Sequence, residues 1–130
     1  MKNPILLIVL TMVFLACKPM QSEKLTSIQY KAQTRGYSLS IAVNPSQVLR
    51  IENGKETIRT LTPAQWNLIE TSIKDLDFST ISNTVDKELT AVDRGIPALL
   101  SIVKGAETTQ IEFIHNAAPT AVQKLLKLIQ

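Results

Sequence analysis

The sequence predicts an α+β domain: an antiparallel sheet of about six strands in the order ββββ-α-ββ-α, with two helices on one face. Three observations carry this expectation. Apolar and polar residues alternate at a period of two in the strand-like runs of 28–43, and two further strand-like runs, 98–103 and 108–115, flank a Lys104-Gly105-Ala106-Glu107 turn. An Asn53-Gly54 pair, the strongest short hairpin signal, separates two strand-like runs. After Thr62-Pro63 and again after Pro119 the apolar period changes to three and four residues, the signature of an amphipathic helix. Strands that outnumber helices, with no regular βαβ alternation, form a layer of helices on an antiparallel sheet.

Each element has its own local reason. Ile28, Tyr30, Ala32 and Thr34 alternate with Gln29, Lys31 and Gln33, which predicts a half-buried first strand. Arg35-Gly36 turns the chain, and Tyr37, Leu39, Ile41 and Val43 form the second strand. Asn44-Pro45-Ser46 ends it, because proline has no N–H for a ladder. Val48–Glu52 and Thr57–Leu61 flank the Asn53-Gly54 turn as strands three and four. Thr62 caps the first helix, Pro63 suits its first turn and Gln65 closes a capping box. Trp66, Ile69, Ile73 and Leu76 make its apolar stripe, and the helix is expected to end near Asp75–Leu76.

Residues 77–95 are polar and turn-prone and read as mostly loop. Pro97 opens a strand over Ala98–Val103, and Lys104-Gly105-Ala106-Glu107 turns into Thr108–His115. Pro119 starts the last helix, with Val122, Leu125, Leu126 and Ile129 on one side. The expected core is Leu39, Ile41, Ile51, Trp66, Ile69, Ile73, Leu100, Ile102, Ile111, Phe113, Val122, Leu125 and Ile129.

The composition narrows the function classes. The chain has 130 residues, 14 Lys+Arg and 11 Asp+Glu, enough for one domain. Of the basic residues Lys2 lies in the apolar leader, so the rest of the chain carries little net charge. A nucleic-acid binder that works by a dense basic face is therefore excluded. A disulfide-stapled miniprotein is excluded by the single cysteine.

The leader is the most specific signal. Lys2 precedes an apolar run, Ile5–Leu15, interrupted only by Thr11, and Ala16-Cys17 closes it. A spanning helix needs about 20 apolar residues, so the run reads as a secretory signal with a small residue at the cut. Phe14-Leu15-Ala16-Cys17 looks like a bacterial lipobox, with Phe14 where the usual pattern has Leu. That resemblance implies removal of residues 1–16, acylation of Cys17, a lipidated tether over 17–26 and a single α+β domain over 27–130. Acyl chains anchor at about 0.8 kcal/mol per buried methylene. By resemblance to proteobacterial sorting signals, Lys18 in place of Asp implies the outer membrane. Surface-exported lipoproteins of the Bacteroidetes resemble one another in acidic residues just after the cysteine, so the sparse acidity of 18–24 implies, by that comparison, a periplasm-facing rather than surface-exposed site.

Few residues carry chemistry. His115, the lone histidine, ends a strand and reads as structural, with a substitution expected to change stability by less than about 1 kcal/mol. With one histidine and an acylated cysteine the chain lacks the three or four ligands of a zinc site, and neither metal nor cofactor is expected. Asp75 and Asp77 lack the spacing of a calcium loop. The loop residues Asp86, Glu88, Asp93 and Arg94 form the candidate binding loop, since long loops often carry recognition residues.

The layout resembles small uncharacterised envelope lipoproteins of the Bacteroidetes. The resemblance rests on Tyr37-Ser38-Leu39-Ser40-Ile41, Ile51-Glu52-Asn53-Gly54, Leu61-Thr62, Asp93, Lys104-Gly105-Ala106 and Pro119. The family has no established activity to carry over. The preferred reading is a lipid-anchored envelope protein whose α+β domain is a binding or structural module, with an envelope protein or glycan as partner and no nucleic acid. The alternatives are a small envelope hydrolase using His115 and the 86–94 loop, or an inhibitor of such a hydrolase. A pocket joining His115 to carboxylates favours the enzyme, an exposed apolar sheet face the binding module, and a projecting rigid loop the inhibitor.

Overall fold

The computed structural model describes residues 24–84 and 95–130. They form one six-stranded antiparallel sheet with helices, in the predicted α+β order. The strands are β1 (Leu25–Thr34), β2 (Tyr37–Val43), β3 (Gln47–Glu52), β4 (Lys55–Thr60), β5 (Pro97–Lys104) and β6 (Glu107–Ile114). The helices are α1 (Pro63–Lys74), α2 (Phe78–Thr84) and α3 (Thr120–Ile129), and a short 3-10 turn, His115–Ala117, precedes α3.

The spatial order is β4-β3-β2-β1-β5-β6. The meander β1–β4 runs to one side of β1, and the β5–β6 hairpin joins β1 on the other. Asn53 and Gly54 have φ of 50° and 82°, the positive pair that a type I′ turn requires. β1 begins at Leu25, ahead of the alternation that starts at Ile28. A register shift between Leu25 and Ser27 against β5 hides the strand's first residues from a period-two pattern.

Register sorts the side chains onto two faces. Val48, Val43, Ile28 and Ile102 stand in one row, and Arg50, Ile41, Tyr30, Leu100 and Ile111 in the next. A third row holds Glu52, Leu39, Ala32, Ala98 and Phe113. The apolar members of these rows are all buried, and against them lie Trp66, Ile69 and Ile73 of α1 and Val122, Leu125, Leu126 and Ile129 of α3. The opposite face is open: Leu49, Ile51, Leu99 and Val103 are half-buried there, and Ile58 is 57% exposed.

Twelve of the thirteen expected core residues are buried. Ile51 is not. It pairs with Ser40 and Glu56 on the open face, because Ile41 faces Arg50 and so assigns Val48, not Ile51, to the helix side. The run Val48-Leu49-Arg50-Ile51 puts apolar residues on both faces and Arg50 on the face of Val48, and pairing with the partner strand overrides that pattern.

The capping box on α1 forms as expected. Gln65 N–H donates to Thr62 Oγ1 at 3.2 Å, and Thr62 N–H donates to Gln65 Oε1 at 2.9 Å. The stretch expected to be mostly loop contains α2 instead. Asp77 caps it: Oδ1 accepts from the amides of Ser79 and Thr80 and from Ser79 Oγ, and Oδ2 accepts from Thr80 Oγ1 at 2.8 Å. The Asp-x-Ser-Thr pattern is an N-terminal signal that a reading for apolar periodicity passes over. Among the described residues no helix is long and apolar enough to cross a membrane.

Candidate functional site

Where the helix-side face reaches the β1–β2 turn, a chain of polar and aromatic side chains replaces the apolar core. Alternation along β1 and β2 places Tyr30 and Tyr37 on this face, and alternation along β3 places Arg50 and Glu52 there. His115 arrives from the end of β6, where its N–H donates to Ile96 O at 2.8 Å and opens the 3-10 turn. Five residues from four segments thereby meet.

Tyr30 is completely buried, and its hydroxyl is hydrogen-bonded to Nδ1 of His115. The ring also packs on Phe113, with centroids 6.0 Å apart and planes at 29°. The His115 ring lies 5.8 Å from Tyr30 and 6.0 Å from Tyr37, tilted to both. Tyr37 Oη donates to Glu52 Oε1 at 3.1 Å, and Arg50 Nη2 meets Glu52 Oε2 at 2.8 Å. Both carboxylate oxygens of Glu52 are thus engaged. Arg50 and Glu52 keep side-chain exposures of 37% and 35%, so the helices do not seal this end.

The electrostatics keep both phenols protonated. Burial, with a smaller contribution from Tyr37, holds the Tyr30 hydroxyl well above the ordinary tyrosine range. Tyr37 is also raised, first by burial and then by its hydrogen bond to Glu52 and that group's charge, with Arg50 acting in the opposite direction. The Tyr30 hydroxyl engages Nδ1 of His115, so Nε2 is the ring nitrogen that this bond leaves unengaged. His115 also lines a recess of about 240 Å³ beside α3, with Asn116, Gln123 and Lys127. The recess is smaller than a drug-sized ligand pocket, about 300 Å³ and upward.

Among the described residues the arrangement lacks the pairing that a serine hydrolase uses. A serine hydrolase needs a histidine that is oriented by a carboxylate and bonded to the nucleophile. Here Nδ1 is held by a phenol, and the carboxylate of Glu52 is committed to Tyr37 and Arg50. Among the described residues no group of three or more His, Cys, Asp and Glu is placed to hold a metal ion. Asp77, set against the calcium alternative in the sequence, spends both oxygens on capping α2.

Cys17, Asp86, Glu88, Asp93 and Arg94 lie outside the described residues. His115 is where the sequence places it, at the end of the sixth strand, but it is bonded to a core tyrosine. Reading the sequence missed Tyr30, Tyr37, Arg50 and Glu52 as a group. The available signal was Arg50 and Glu52 continuing the period of buried Val48, which puts two charges on a core-facing phase.

Two further recesses flank the sheet. One of about 340 Å³ lies on the open face, where the row Lys31–Leu99–Glu112 meets Gln33 and Pro97. Another of about 320 Å³ lies between α1 and α3, with Arg59, Leu68 and Lys127. Compared with known protein families, with characterised proteins and with solved structures, the chain matches none.

Proposed function

We propose that the protein is a lipid-anchored component of the bacterial cell envelope whose α+β domain is a binding module. The anchor is read from Phe14-Leu15-Ala16-Cys17 at the end of the short apolar run; Lys18 favours the outer membrane, and the sparse acidity of 18–24 its periplasmic side. The recognition role rests on one observation: His115, hydrogen-bonded through Nδ1 to the buried Tyr30 hydroxyl, lines the wall of a small recess. A ring held in this way can read a polar feature of an envelope protein or glycan.

Two experiments test the two halves. Metabolic labelling with a palmitate analogue marks the protein and fails in Cys17→Ser; label that survives the substitution refutes the anchor. Affinity capture from detergent-solubilised envelope, with wild type beside His115→Gln and Lys127→Glu, tests the recess. The proposal expects both variants to lose the partner while keeping the wild-type circular dichroism spectrum. Partners held equally by all three proteins refute the recess as the binding site.

A further inference from the structure

The strand β4 is the bare edge of this sheet: all six of its residues are exposed. The other edge differs, since β6 buries Ile111 and Phe113 and has α2 packed on it. The direction of the free amides on β4 follows from its neighbours. Leu61 N–H donates inward to Ser46 O at 2.8 Å, and Asn53 N–H donates to Ser38 O at 2.8 Å, away from β4. Backbone groups alternate sides along a strand. Glu56, Ile58 and Thr60 therefore turn their N–H and C=O groups outward, where β3 cannot reach them.

We infer that this edge pairs antiparallel with β4 of a second copy of the chain, with Ile58 opposite Ile58. Three features select this partner and this register. Centring on Ile58 engages the outward amides of 56, 58 and 60 in both copies. It also sets Glu56 opposite Thr60 and Thr57 opposite Arg59. Centring on Thr57 would oppose Lys55 to Arg59, and centring on Arg59 would oppose two arginines, and like charges directly across a ladder repel. The third feature is the open face. The row Ala42–Leu49–Ile58 ends at an isoleucine that is 57% exposed, and a second copy continues it as Ile58–Leu49–Ala42. Arg59 donates to Leu128 O at 2.9 Å, which holds its guanidinium back toward α3 and off the edge.

Such a pairing is small, so the dimer is concentration-dependent in solution and favoured by confinement to a membrane. The test uses the full chain in detergent with Cys17→Ser, so that each introduced cysteine is the only thiol. Ile58→Cys, Glu56→Cys and Thr60→Cys are oxidised separately. Directly opposed residues in a hydrogen-bonded pair have Cα atoms about 5.5 Å apart, within disulfide reach. Ile58→Cys forms the cross-linked dimer, while either of the others alone gives about a tenth of it or less. Mixing Glu56→Cys with Thr60→Cys chains restores the cross-link. Ile58→Pro removes an N–H that points away from β3 and has no partner strand among the described residues, so it keeps the circular dichroism spectrum and loses the dimer by sedimentation. Equal cross-linking at all three positions means random collision and overturns the inference, as does a monomer at every concentration. Cross-linking of Ile58→Cys to a different envelope protein assigns the edge to a foreign strand and also overturns it.

Discussion

Removing His115 strands a hydroxyl in the core, and the size of the loss follows from the geometry. Tyr30 has no exposed surface, and its hydroxyl is bonded to Nδ1 of His115. In His115→Ala that hydroxyl loses its partner, which costs about 1–3 kcal/mol for a buried unsatisfied group. Ring contacts with Tyr30 and Tyr37 add about 0.5–1.5 kcal/mol. The expected destabilisation is therefore about 2–4 kcal/mol, above the less than about 1 kcal/mol that the position at a strand end implies. Tyr30→Phe removes the hydroxyl itself and costs about 1 kcal/mol. In the double variant the histidine is lost from a site with no hydroxyl left to strand, so the two losses do not add. Urea titrations of the four proteins give the coupling, expected at about 1–2 kcal/mol. A coupling under about 0.3 kcal/mol, with each single variant folded, would refute the hydrogen bond as a stabilising element.

Other expectations follow from individual contacts. Phe113→Ala, at 2% exposure and stacked on Tyr30, costs about 3–5 kcal/mol in urea titration; a loss below about 1 kcal/mol would mean the site is not in the core. Thr62→Ala opens the capping box of α1 and costs about 1 kcal/mol, read as a lowered urea midpoint with unchanged slope. Hydrogen bonds from the side chains of Ser79 and Thr80, then from the Thr80 amide, hold the Asp77 carboxyl down at about 2, below its ordinary 3.8. Its contribution to α2 is therefore complete above pH 3.8 and is lost as the pH falls through about 2. Between pH 5 and pH 2, wild type loses an increment of stability, measured by circular dichroism, that Asp77→Asn does not; superimposable acid titrations count against the cap.

Local chemistry alone specified much of this protein. Period-two alternation located the strands, Asn53-Gly54 the central hairpin, and Thr62, Pro63 and Gln65 the start of α1, because each acts through neighbours within four residues. The apolar stripe of α3 identified its buried face for the same reason. Features that depend on distant partners were left to the tertiary structure. The β5–β6 hairpin lies beside β1 and leaves β4 as an edge, a choice made by strand pairing across long separations. The phase of Ile51 was decided by Ile41 pairing with Arg50, since register with the partner strand outweighs the strand's own pattern of Leu49 and Ile51 against Val48 and Arg50. The polar chain was equally hidden. Tyr30 and His115 are 85 positions apart, and neither residue marks the other until the strands are in register. Burial then turns a lone histidine at the end of a strand into the required partner of a core hydroxyl, because a group cut off from water must find its hydrogen bond inside the protein.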